Sequence, residues 1–261
     1  MPGVPQTLAM TLAEPAATGQ LGAAWPIAAY AAHAAQVSPT GTVGHRLAVV
    51  ASPWAAPWGP LSIPFTGSAA VDLLSVSAPA GTADLTVDAL TFGRVLPPPY
   101  VEYRDVRTTV RVAIPNPSGG TLTWSGAIVR VDPLDAAPAD AGPVVTPPQA
   151  PRVGGADAFT AQVNVGTGPT LSWSPPAIGA PTSYVVVIFS PVPGSTTSAF
   201  IRAAAKTTGT SFRFPESTLT AGETCFATIT ARRDAAERPD APLRASFDAD
   251  WASLVTATFS P

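Results

Sequence analysis

Charge is scarce in this chain: 14 basic and 17 acidic residues in 261 make 12%, against about 25% in an average soluble domain. The net charge is -3 with no basic stripe, so the electrostatic footprint that holds phosphates is missing and nucleic acid is not an expected partner. Lysine occurs once, as Lys206. A single cysteine, Cys225, excludes an internal disulfide and a cysteine zinc cluster. Its activation by either histidine, His33 or His45, would require contact between distant parts of the chain, and no Gly-x-Ser-x-Gly elbow is present. The histidines lack His-x-x-x-His spacing, so a metal site would need added carboxylates. The longest apolar stretch, Leu21 to Ala35, is too short to span a bilayer and is broken by Pro26, so no transmembrane segment is expected. No Lys or Arg precedes Arg46, so the basic start of a secretory signal is not visible. The expectation is a signal already removed, a misplaced start, or delivery by another route, as virion proteins use.

What the chain does have is 21 glycines, 31 prolines and 46% hydrophobic residues, enough for a core interrupted by many turns. Period-two alternation marks strands at Leu8–Ala13, Arg46–Ala51, Leu61–Phe65, Val71–Val76, Ala83–Leu96, Thr108–Ile114 and Thr121–Val131; Val110, Val112 and Ile114 share one face. Residues 23–36 read either way. Their alanines and Pro26 suit a helix, and the all-β context favours a strand. Asp132 to Pro151 is rich in Pro, Ala and Asp and reads as an extended, semi-stiff connection. The expected organisation is all-β: an N-terminal segment (1–20), an Ig/prealbumin-like β-sandwich (21–133), a Pro/Ala-rich linker (134–147) and a second sandwich (148–261), the two in tandem.

Two resemblances refine this. Gly22-Ala23-Ala24-Trp25-Pro26, Ala29-Tyr30-Ala31-Ala32 and Gly59-Pro60-Leu61-Ser62-Ile63-Pro64 are similar, over about half of the first domain, to prealbumin-like sandwich modules of bacterial surface lipoproteins. Over residues 148–261, Pro147-Pro148-Gln149-Ala150-Pro151, Leu171-Ser172-Trp173-Ser174-Pro175-Pro176, Tyr184-Val185-Val186-Val187-Ile188, Leu219, Gly222-Glu223-Thr224 and Ala227-Thr228-Ile229-Thr230-Ala231 resemble a fibronectin type III module. The resemblance implies a seven-stranded sandwich closed over Trp173, near Tyr184 and Ile229. It departs at Cys225, which stands where the family's corner tyrosine is expected, so Phe226 faces outward or the strand slips by one.

Candidate chemistry is thin. Glu102 with Asp105, and Asp248 with Asp250, are the carboxylate pairs a glycosidase would need, yet they sit beside arginines or in a loop, and no Asp-x-Asp-x-Asp-Gly calcium loop is present. Contact residues are easier to nominate. Trp54 and Trp58 lie in a turn-rich loop where both indoles cannot easily be core, which fits either local packing or a protein or sugar contact. Pro97-Pro98-Pro99-Tyr100 forms a stiff turn, and Tyr100 and Tyr103, with Arg104, Asp105 and Arg107, make a mixed polar surface. Arg232, Arg233, Arg238 and Arg244 belong to the charged run 232–250, by resemblance the loop before the last strand, which such modules use for recognition. Asn116-Pro117-Ser118 is no glycosylation site. No cofactor fingerprint is present. The expectation is a non-enzymatic structural or adhesive protein of a bacterial surface or exported assembly, located extracellularly or in the cell envelope. Its partners would be other protein subunits or surface components. The alternatives are a phage virion protein of tail, baseplate or decoration type, and a carbohydrate-binding module that takes polysaccharide through Trp54 and Trp58.

Overall fold

A computed structural model describes residues 17–52, 59–60, 71–94, 96, 100–234, 244–245 and 249–261. The strands expected at 8–13 and 61–65 lie outside these residues. Strand β1 (Thr18–Trp25) follows the period-two rule and turns Leu21, Ala23 and Trp25 inward. Pro26, which cannot donate to a ladder, then passes the chain into two short helices, α1 (Ile27–Ala31) and α2 (Ala34–Val37). The strand favoured for 23–36 therefore ends at Trp25. The alanines that follow take the helix they prefer and bury Ile27, Tyr30, Ala34 and Val37.

The first half continues with β2 (Thr42–Ser52), the two-residue β3 (Gly59–Pro60), β4 (Val71–Pro79), β5 (Leu85–Gly93), β6 (Val101–Pro115) and β7 (Thr121–Pro133). Strand β5 pairs with β1 in one layer, while β4, β2, β6 and β7 are neighbours in the other. Leu47, Val49, Val106, Val110 and Ile128 close on Leu21 and Trp25 between them. The second half contributes β8 (Gln149–Val153), β9 (Ala156–Asp157), β10 (Thr170–Ser174), β11 (Ser183–Pro191), β12 (Ala199–Thr207), β13 (Ser211–Arg213), β14 (Phe226–Arg233), β15 (Arg244–Ala245) and β16 (Asp250–Val255). One layer is ordered β13-β10-β8-β9, the other β12-β11-β14-β16. Between them Trp173 is buried in the same cluster as Ile229, with its ring 5.2 Å from that of Tyr184. The chain is all-β and sandwich-like.

The halves are not beads on a string. Strand β16 also pairs with β7, through Trp251 opposite Val129 and Ala252 opposite Ile128, so one antiparallel sheet of eight strands, β12-β11-β14-β16-β7-β6-β2-β4, runs through both. At the next position the Ser253 hydroxyl accepts the Ala127 N–H at 3.0 Å, and the two strands part. Gly126 marks the crossing: a Cβ there would lie 2.4 Å from Val37 Cγ1 and 3.0 Å from the Ser253 carbonyl oxygen. Beyond it, the β6–β7 hairpin folds across the outer face of β11 and β14. Val112, Ile114, Leu122 and Trp124 cover Val187, Phe189 and Phe226. Phe226 thus faces away from the Trp173 core, as the resemblance allowed, but under a neighbouring hairpin rather than in solvent. The hairpin tip is tied down by Asn116 Nδ2, which donates to the Val192 and Ser195 carbonyls at 2.9 and 3.0 Å.

Residues 134–147 also depart from the linker expected of them. After a single turn at Leu134–Ala136, Asp140 bridges to Ala24, Tyr30 donates to the Ala141 carbonyl at 2.9 Å, and Ala141, Val145 and Thr146 are buried. The proline-rich composition does give an extended course, but one laid against the core rather than spanning a gap. Among the described residues no helix is long and apolar enough to cross a membrane.

Candidate functional site

Antiparallel pairing gathers one end of β2, β4, β6, β7, β14 and β16 at a single end of the large sheet, where Ser52, Val71, Val101, Pro133, Arg233 and Asp250 lie. From this end leave the two loops that the sequence singled out, one after Ser52 and one after Arg233. They meet. Strand β3 of the first pairs with β15 of the second, Pro60 opposite Arg244 and Gly59 opposite Ala245. Trp54, Trp58 and Arg238 lie outside the described residues, and of Arg244 the backbone pairing alone is described.

The other nominated residues separate. Tyr100 is half-buried and helps to line a cavity of about 290 Å³ with Arg94, Leu96, Glu102, Leu134 and Asp135. Arg94 Nε lies 3.0 Å from Glu102 Oε2 across it. Tyr103, one residue further along the pleat, is 4% exposed and packs among Ala48, Val50, Val129 and Val131. Residues 103–106 of β6 are all buried, so both faces of the strand are covered there, and Tyr103 is a packing residue rather than part of an open contact surface. Arg232 is 9% exposed on β14, whereas Arg233 on the alternate face keeps a 54% exposed side chain, 4.0 Å from Asp250. Of the four arginines in the charged run, Arg233 is the one whose side chain is seen to reach solvent.

The mixed polar surface expected around Arg104 is largely interior. Arg104 is 1% exposed; it donates to the Asp132 carboxylate at 2.5 Å and to the Pro138 carbonyl at 2.6 Å. Arg130 shares Asp132 at 3.0 Å and donates to the Gly142 carbonyl at 2.8 Å. Two guanidinium forks on neighbouring strands therefore clamp the carbonyls of the 138–142 segment, with one carboxylate between them. Beside them Asp250 accepts the Val131 N–H at 3.1 Å. Burial first, and the nearby Asp132 charge with it, push its carboxyl up to about 6, against the pull of that hydrogen bond, Arg130 and Arg233. Residues 102–107, Glu-Tyr-Arg-Asp-Val-Arg, do not alternate, and nothing in their order distinguishes a solvated row from a buried clamp.

The catalytic candidates do not assemble. Glu102 is engaged by Arg94, and Asp105, three residues on and so on the opposite face of β6, by Arg107 at 2.7 Å. Asp248 is outside the described residues. His45 is buried with Nδ1 2.7 Å from Thr108 Oγ1, and burial lowers its pKa. Burial, with Glu223 nearby, pushes the Cys225 thiol up to about 12, which leaves essentially no thiolate near neutral pH. Among the described residues no three His, Cys, Asp or Glu side chains are grouped to hold a metal ion. No family model and no curated protein matches the chain.

Proposed function

We propose that this chain is a non-enzymatic structural component of a bacterial surface or exported assembly, acting through protein–protein contacts. The observation that carries the reading is the eight-stranded sheet continuous through both halves. A shared ladder, a common core and a hairpin strapped over the seam make the two halves one stiff body, in which β4 and β12 are the outermost strands of the large sheet among the described residues, and this suits a building block. The layers of the second half support the fibronectin type III resemblance. Strands β11 and β12 are neighbours, while β14 inserts between β11 and β16, the kind of Greek-key sandwich that resemblance implies.

The test is location and company. An antibody raised to the purified chain, applied as immunogold to the producing cells and to particles banded from their culture fluid, should label the envelope or the particles. Label on particles that contain nucleic acid selects the virion form of the reading, and label on the cell surface selects the envelope form. Recovery solely as a free monomer in the cytosol overturns the assembly role.

A further inference from the structure

We propose that the first half carries an acid-sensitive latch, in which protonation of His45 releases the β1–β5 layer from the large sheet. The inference goes beyond the assembly reading and does not depend on it. Its basis is how that layer is held. Strands β1 and β5 pair with each other in a two-stranded sheet of their own, and among the described residues no ladder joins them to the eight-stranded sheet. Packing of Leu21, Ala23, Trp25 and Phe92 against Leu47, Val49, Val106 and Val110 holds the layer in place, with two main-chain bonds from Ala24 to the 139–141 segment. An element fixed mainly by side chains can open without breaking the main sheet.

His45 sits inside that packing. It shares a face of β2 with Leu47 and Val49, is 3% exposed, and stands opposite Ala78 of β4 and Thr108 of β6. Its Nδ1 lies 2.7 Å from Thr108 Oγ1, while its Nε2 is sealed from water and has no hydrogen-bond partner. The neutral ring suits this place: Nδ1–H donates to the Thr108 hydroxyl, and Nε2 keeps a bare lone pair. A proton on Nε2 creates a donor with no acceptor and a cation inside the core.

No carboxylate is placed to answer that charge. On the same face β4 offers Leu74, Val76 and Ala78. Strand β1 and helices α1 and α2 hold no acidic or basic residue, and His33 lies between the helices. Asp88 of β5 is exposed, and Asp84 before it is exposed and accepts the Ala28 N–H at 2.7 Å. On β6 the same face next carries a charge at Arg104, four residues from Thr108 and so about 13 Å along the strand. On β7 it carries Arg130 and Asp132, and both arginines already engage that carboxylate. Arg46, Asp72, Asp105 and Arg107 belong to the opposite face. Burial accordingly lowers the His45 pKa, so the ring's contribution is full above the ordinary value of 6.5 and falls as pH drops below it. The second half has no histidine. At the seam acid acts the other way, since burial pushes Asp250 up to about 6 and protonation removes a buried charge there. Acid therefore loosens the detachable layer and spares the ladder through both halves.

The experiment is hydrogen exchange of the full chain at about pH 7.5 and about pH 4.5, on either side of the histidine range, corrected for the intrinsic rate at each pH. Proton NMR of the two imidazoles runs beside it, with His45 assigned by the signal that His45→Gln removes. Protection in β1 and β5 should fall by about tenfold or more at the lower pH, in step with protonation of His45, while β11 and β14 keep theirs. His45→Gln and His45→Phe each remove the titrating ring, and in either variant protection of β1 and β5 should be the same at both pH values. Constant protection in wild type, a loss that the variants share, or a loss spread equally over β11 and β14 overturns the latch. Should neither variant fold, wild type decides alone: a loss of protection whose midpoint does not follow His45 overturns it.

Discussion

Ile128 of β7 stands directly opposite Ala252 of β16, and through that pair the last strand of the second half becomes a neighbour of the first half's sheet. Both are fully buried and belong to one cluster that also holds Trp25 and Trp173. The consequence is energetic as well as geometric: neither half can shed the other without exposing apolar surface and ending a ladder.

The crossing at Gly126 tests this. Gly126→Ala places a methyl against Val37 and the Ser253 carbonyl and should destabilise the chain by about 1–3 kcal/mol, the range for overpacked sites. Gly44, also in a strand, has nothing within 4 Å of the same added atom. Gly44→Ala should be neutral or stabilising by under about 1 kcal/mol. Urea denaturation of the two variants measures the contrast, and equal effects would show that the crossing is not tight.

Coupling between the halves predicts a shared fate. Trp173→Ala should cost about 3–5 kcal/mol through lost burial and the cavity left behind. Hydrogen exchange in β2 and β6, far along the chain, should accelerate together with β10 and β14. Unchanged protection in the first half would mean that the seam transmits no stability.

Much of the strand inventory was legible because alternation is local. Val110, Val112 and Ile114, or Leu171 and Trp173, declare their faces within a few residues, and each lies in a strand at the expected place. The seam was not legible, because pairing of β7 with β16 joins residues more than 120 positions apart and leaves no local period. A cue did exist in the six consecutive apolar residues of β11, Tyr184 to Phe189, since an unbroken apolar run marks a strand covered on both faces, and all six are buried. Residues 134–147 misled because Pro and Ala announce an extended backbone and say nothing about what lies against it. Tyr103 and Arg104 misled in the same way: period two assigns them to opposite faces, and over 103–106 both faces of β6 are interior. For the contact site, the charged run and the tryptophan loop were recognised separately, while their meeting through β3 and β15 required the sheet.

Asp250 gives a pH dependence with a definite sign. Its pKa stands at about 6 in the folded chain against 3.8 as the reference value. Between those values the folded protein holds a proton that the unfolded chain releases, so this group's contribution is full below about pH 4 and is lost as pH rises through 6. His45, with its pKa lowered by burial, acts in the opposite sense, so the informative quantity is the difference between wild type and Asp250→Asn. The amide stays neutral and can still accept the Val131 N–H. Relative to this variant, wild type should lose about 1–3 kcal/mol between pH 4 and pH 7 by urea titration. A difference that does not change with pH would place Asp250 in solvent.

The buried clamp makes the sharpest stability prediction. Arg104 is sealed from water and divides its donors between Asp132 and the carbonyl of Pro138. Arg104→Met fills much of the volume but strands a carboxylate that Arg130 alone must then neutralise, and it leaves the Pro138 carbonyl without its donor. With Arg130 still paired to Asp132, the cost is that of the lost charge-assisted hydrogen bonds and the orphaned Pro138 carbonyl, about 1–3 kcal/mol. The double change Arg104→Met with Asp132→Leu leaves the Arg130 guanidinium buried without its carboxylate and should be less stable than Arg104→Met alone, an ordering that a double-mutant cycle reads directly. Neither variant restores the fork that holds 138–142 to β6, so limited proteolysis should cut this segment faster in both than in wild type. If Arg104→Met unfolds the protein no more easily than wild type and leaves 138–142 equally resistant, the guanidinium is not what binds the connecting segment to the sheet.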